Sequence, residues 1–219
     1  MNHLKIFTWA LVCAIALAGC NNRDDGPPIL VTTQILSDPG FDGDIEQTSP
    51  NSFTVTQGMS PTVQSVFAGI DPVVRTEFRA FLDFPLTGPG GVPGNAVIDS
   101  AFLDFFINSL QPNVGDIPIL IDLVAFQPPT LIGTDFDRGL QPALASLVVS
   151  PPFSQADVGT NVSIDVTALM IAAQNLGLLD FQLRIMQDLG PAIPILLEIS
   201  DTTGPDRDSV APLLTVNYF

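Results

Sequence analysis

Three acidic clusters hold the residues best placed to do chemistry in this chain. Asp42-Gly43-Asp44-Ile45-Glu46 sets three carboxylates at alternate positions, so that in an extended segment they project to one side. Asp201, Asp206 and Asp208 punctuate the run SDTTGPDRD, and Asp135 and Asp137 stand two apart in a third segment. Calcium takes oxygen ligands from carboxylates and loop carbonyls. A structural calcium is therefore the one cofactor these clusters suggest, with Asp42, Asp44 and Glu46 as the first ligand set and Asp201, Asp206 and Asp208 as the second. None of the clusters has EF-hand spacing, and nothing else in the chain calls for a cofactor. The competing account is that Asp beside Gly and Pro serves turns through its own backbone hydrogen bonds.

Other catalytic chemistry is poorly supplied. The only histidine is His3 and the only cysteines are Cys13 and Cys20, all within the first 20 residues. Those residues have the order of an export signal: Lys5, then the apolar run from Ile6 to Ala18, then Gly19-Cys20 followed by Asn21-Asn22-Arg23-Asp24-Asp25. The run is shorter than the roughly 20 apolar residues that a membrane-spanning helix needs. Leu17-Ala18-Gly19-Cys20 resembles the lipobox of bacterial lipoproteins, which implies cleavage before Cys20, diacylglycerol on its sulfur and acylation of the new amino terminus. Two or three acyl chains hold a protein firmly on a bilayer, where one is marginal. Asn21, in place of Asp, implies sorting to the outer membrane.

Cleavage would leave residues 20–219 with six arginines, no lysine, no histidine and no tryptophan against 23 acids, a formal charge of −17. Nucleic-acid binding needs clustered Lys and Arg, so it is excluded as a function class. Adsorption to anionic lipid by charge is disfavoured for the same reason, and the acylated Cys20 must carry membrane attachment. Without histidine or a free thiol, neither a Ser-His-Asp nor a Cys-His arrangement can be assembled. Carboxylate pairs remain, but none stands in a signature context, so the chain reads as non-catalytic.

The elements that must position these groups are short. Residues 1–19 are the leader and 20–28 a polar, Gly-Pro-Pro-ending tether; residues 29–219 make one domain, in which β-branched and aromatic runs alternate with Gly, Pro, Asn and Asp. Eleven such runs suggest an all-β architecture, a jelly-roll-like antiparallel β-sandwich with one short helix. That helix is expected at Ala168 to Asn175, with Thr167 as its N-cap and Gly177 as its stop.

The runs Arg79 to Phe84, Val97 to Leu103, Val162 to Thr167, and Ser200-Asp201 through Ala211 to Val216 resemble, in order, the disaggregatase-related (DNRLRE) domains. The resemblance covers about residues 42–219. It implies a jelly-roll sandwich on a secreted or surface protein of a polysaccharide-associated system, and hence a carbohydrate-binding module as an alternative to a protein-binding or envelope-structural one. It carries over no catalytic residue.

Strand faces supply the last expectation. Leu179 to Ile185 alternates strictly and reads as a strand with one buried and one wet face. Ala101 to Ile107 and Ile117 to Phe126 are apolar on both sides. Either Ile29 to Leu36 or the segment Leu131 to Leu144 covers Phe102 and Phe106, or Phe102, Phe106, Leu120 and Val124 form a surface for a partner.

Overall fold

The β-branched and aromatic runs between turn residues become twelve antiparallel strands in the computed structural model, which describes residues 29–58, 64–125, 130–188 and 193–219. They are β1 (Val31–Leu36), β2 (Gly43–Ser49), β3 (Ser52–Gln57), β4 (Ser65–Ile70), β5 (Glu77–Pro85), β6 (Ile98–Gln111), β7 (Ile119–Val124), β8 (Ala145–Val148), β9 (Asn161–Asp165), β10 (Asp180–Gln187), β11 (Leu196–Ser200) and β12 (Leu213–Tyr218). The all-β, sandwich-like architecture read from the sequence is the one observed. β3 is additional: it forms a hairpin with β2 across the Pro50-Asn51 turn, and its Phe53 and Val55 alternation was a readable signal.

One strand path gives the curl its shape. β6 pairs through Ile98–Asp104 with β12 and through Phe102–Phe106 with β9, then through Ile107–Gln111 with β11. A strand 14 residues long thus leaves one layer and enters the other. From β11 the sheet continues through β4, β5, β10 and β7 to β8, while β12 and β1 join the first half of β6 on the edge opposite β9. The β4 to β5 join depends on Gly69, whose φ is +115° and where a Cβ would lie 2.2 Å from the Ile195 carbonyl oxygen.

The core lies inside this curl. Ala101, Leu103, Phe105 and Ile107 of β6 meet Ile119, Ile121 and Leu123 of β7 and Phe181, Leu183 and Ile185 of β10 in one buried apolar cluster. Helix α1 (Thr167–Leu176) seals part of it by packing on β6 and β8 with Leu169, Met170 and Ala173 turned inward. Gly177 ends α1 in the left-handed conformation, as expected. Thr167 is not the N-cap: it is the first helical residue, Asp165 accepts its N–H at 2.9 Å, and its hydroxyl instead accepts the Ala101 N–H from β6. A second helix, the single turn α2 (Arg207–Val210), follows Asp206.

Candidate functional site

The strands β9, β6, β11, β4, β5, β10, β7 and β8 form a nearly closed curl whose two ends are β9 and β8. These ends are consecutive in the chain and antiparallel, yet their ladders run only to β6 and β7. The seam between them is a groove of about 810 Å³. Leu147, Val149, Val162, Ile164 and Phe153 line it, with Ile171 of α1 at one end. Phe153 marks the other end, held by paired backbone bonds to Ile117 and by an edge contact with Phe105 at 5.8 Å. Among the described residues, Asp157 and Asp165 are the only ionisable groups in the lining.

Backbone geometry fixes which groups the seam presents. The N–H of Ile107 donates to the Thr160 carbonyl and that of Val166 to the Ala101 carbonyl. Antiparallel residues alternate in the neighbour they face, so Asn161, Ser163 and Asp165 turn their N–H and C=O away from β6 and into the seam. On β8 the Val149 N–H donates to Ile119, which turns Ser146 and Val148 outward by the same rule.

A second concentration of function-bearing groups lies on the outer face of β5, β10 and β7. The segment from Leu131 to Leu144 crosses this face as a strap. Asp122, fully buried, accepts Arg184 Nη2 at 2.8 Å, Arg138 Nε at 2.9 Å and the Ser146 hydroxyl at 2.7 Å. Arg184, also fully buried, donates Nη1 to the strap carbonyls of Asp135 and Gln141 at 2.9 and 3.0 Å. Burial draws the Arg184 pKa below its ordinary value, and the bond and charge of Asp122 oppose that shift. Arg79 stacks 4.0 Å over the Phe136 ring, donates to the Phe136 carbonyl and pairs with Glu77 at 2.7 Å. Phe136, Leu131, Ile45 and Phe81 make a small second core beneath the strap. These charges satisfy one another and hold the strap.

The proposed calcium ligands separate on folding. Asp44 points at β4, where its Oδ2 accepts the Phe67 N–H at 3.2 Å, while Asp42 Oδ1 accepts the Asp83 N–H at 2.8 Å. Glu46 stays half-buried further along β2. Asp206 and Asp208 are exposed around α2, whereas Asp201 is buried and accepts Arg207 Nη1 at 3.0 Å. Among the described residues no three acids converge as a metal-ligating group. Asp135 accepts the Ile132 N–H and Asp137 the Gly139 N–H, which is the turn role of Asp.

Folding instead joins one acid from each of the two leading clusters. Asp42 and Asp201 lie close enough to shift each other's titration. Burial, with the Asp201 charge adding to it, holds the Asp42 carboxyl well above the usual range. Burial also raises Asp201, against the hydrogen bond from Arg207. Asp42 Oδ2 is buried without a hydrogen-bond partner among the described residues. No sequence pattern marks this pair, because its members stand 159 positions apart.

Leu120 and Val124 are not surface residues. β7 runs between β10 and β8, and the two side chains are 8% and 0% exposed on the face that the strap crosses. Phe102 and Phe106 are half-exposed on β6, away from them in the curl, so the four do not form one patch. The strap expected over Phe102 and Phe106 covers Phe81 and Ile45 instead, and β1 joins the sheet edge beside β12. Cys20 lies outside the described residues.

A smaller cavity of about 350 Å³ was not foreseen. Asp44, Glu198, Gln64, Thr56 and Ser65 surround the half-buried rings of Phe67 and Phe78, whose centroids are 5.9 Å apart. Burial lifts Asp44 to about 7 there, whereas Glu198 is held by the hydroxyls of Ser65 and Ser109 at 2.8 and 2.7 Å.

The architecture defines an open-seamed, acidic β-sandwich. Neither a family model nor a curated protein matches this chain.

Proposed function

We propose that this chain is a lipid-anchored lipoprotein of the bacterial cell envelope, most consistent with the outer membrane, whose non-catalytic β-sandwich binds a partner in the seam between β8 and β9. The observation that carries the reading is the seam itself: a groove of about 810 Å³, within the range of ligand sites, with an apolar floor and unpaired strand edges for walls. The leader, Cys20 and the resemblance to DNRLRE domains support the anchor and the compartment. The buried cations support a binding body over an enzyme, because Arg184, Arg79 and Arg207 are each engaged within the fold.

A photo-reactive side chain in place of Val148, which lines the seam, should form an adduct in intact cells, whereas one in place of Val73, exposed and outside it, should not. Equal capture from both positions would overturn the binding role of the seam. Attachment is read separately: Cys20→Ser should abolish incorporation of a labelled fatty acid and release the protein from membranes.

The cavity at Asp44 supports a second reading, a carbohydrate-binding module. Its two rings, two carboxylates and one amide are groups that can pack on a sugar face and accept its hydroxyls. A glycan array probed with and without calcium tests this, and binding that Phe78→Ala leaves unchanged would exclude the cavity.

A further inference from the structure

The seam has the features of a slot for a polypeptide strand. β8 and β9 follow one another in the chain and run antiparallel, the arrangement that ordinarily closes as a ladder, but the sheet stays open between them. Phe153 and its bridge to Ile117 prop one end of the gap, and α1 with Ile171 props the other. Into this gap β9 turns the backbone groups of Asn161, Ser163 and Asp165, and β8 those of Ser146 and Val148. Such edges bind extended peptides by main-chain hydrogen bonding, with alternate side chains entering pockets.

Charge selects the occupant. Among the described residues the lining holds Asp157 and Asp165 and no basic residue, and the chain carries 23 acids against 7 basic residues. A second copy of this chain would bring like charge to the seam. We infer that the seam binds an extended, cationic segment of a partner protein, which adds as a strand to the free edge of β9 with apolar side chains on the seam floor and Lys or Arg beside Asp157 and Asp165. The inference rests on the seam being the binding site proposed above and adds the chemistry of its ligand.

The test uses the full chain and three capped octapeptides: alternating Val and Lys, alternating Val and Glu, and the Val/Lys peptide N-methylated at alternate residues. The Val/Lys peptide should bind at least tenfold more tightly than either control and should protect the amides of Asn161, Ser163 and Asp165 from exchange. Ser163→Pro removes an outward N–H that β6 does not use, a position at which an edge strand tolerates proline, and should weaken binding at least tenfold. Ile171→Trp should do the same by filling the groove.

Equal affinity for the Lys and Glu peptides overturns the cationic ligand. Binding that Ile171→Trp abolishes but Ser163→Pro and N-methylation leave intact overturns strand addition while keeping the seam as a binding site. Absence of binding by all three peptides, alongside a Val148 adduct in cells that proves to be glycan, overturns the peptide ligand and spares the binding role of the seam.

Discussion

Strands β10 and β6 exchange the environments that their sequences suggest. β10 alternates polar and apolar residues strictly from Asp180 to Ile185, yet both of its faces are buried: Gln182 is 1% and Arg184 0% exposed. β6 is apolar on both faces from Ala101 to Ile107, yet Ala101, Leu103, Phe105 and Ile107 are buried while Phe102 and Phe106 remain partly exposed. The difference teaches that alternation reports the chemistry of a face and not its coverage. A polar face can be buried when its charges pair with one another and with the backbone of a covering strap. An apolar face can stay half open when the neighbouring connections lead elsewhere.

The sharpest way to break the contrast is Arg184→Ala. It would leave Asp122 buried with only the half-exposed Arg138 as its cation and would free the strap carbonyls of Asp135 and Gln141. Removing one member of a buried pair costs about 3–5 kcal/mol, and urea denaturation should show a loss of that size. Asp122→Leu with Arg184→Met should recover much of it, since apolar replacement of both partners removes the stranded charge. A double variant no more stable than Arg184→Ala would show that the polar face is needed for more than its own pairing.

A smaller effect is expected at the contact that pins the strap. Phe136→Leu keeps most of the apolar volume but removes the ring under Arg79 and beside Phe53. The cation–π contribution is on the order of 1–2 kcal/mol when desolvated, so the melting temperature should fall by several degrees. Faster exchange of the Ile132 and Asp135 amides would place the loss in the strap.

Protonation separates two parts of the buried acid set. Burial raises Asp44 to about 7 and Asp83 to about 6, from the ordinary aspartate value of 3.8. A carboxyl whose pKa is raised by folding adds stability that is complete below its unfolded pKa and is lost as pH rises through the folded value. The protein should therefore melt higher at pH 5 than at pH 8, with the decline running from about pH 4 to about pH 7, between the unfolded and folded values. Asp44→Asn should flatten that decline, and an undiminished slope in the variant would assign it to other groups.

The smallest effect belongs to the open face of β6. Phe102→Ser and Phe106→Ser remove rings that are already partly in water, and each should cost about 1 kcal/mol, from partial loss of apolar burial. A loss of several kcal/mol from the pair would show that this face is covered in solution and would erase the contrast with β10.

Much of the fold was legible because local rules govern it. The β-branched runs, the turn residues and the Ala-Leu-Met-Ile helix with its Gly177 stop lie where pattern places them. The candidate sites were legible only in part. Asp42 and Asp201 each stood out as acidic turn residues, but their meeting depends on the long path of the chain between them. Asp44 was read as facing its neighbours in β2, whereas it bridges to Phe67 of β4, a strand with which β2 has no ladder.

By itself, the sequence determined the period-two strands, their turns and the acidic charge, because each follows from the residues themselves and their near neighbours in the chain. Only the tertiary structure decided that the Leu131 to Leu144 strap would cover β10 and not β6, and that β8 and β9 would stop short of pairing. Coverage of a face and satisfaction of an edge depend on which distant segment arrives there. Period-two patterning has no term for that arrival.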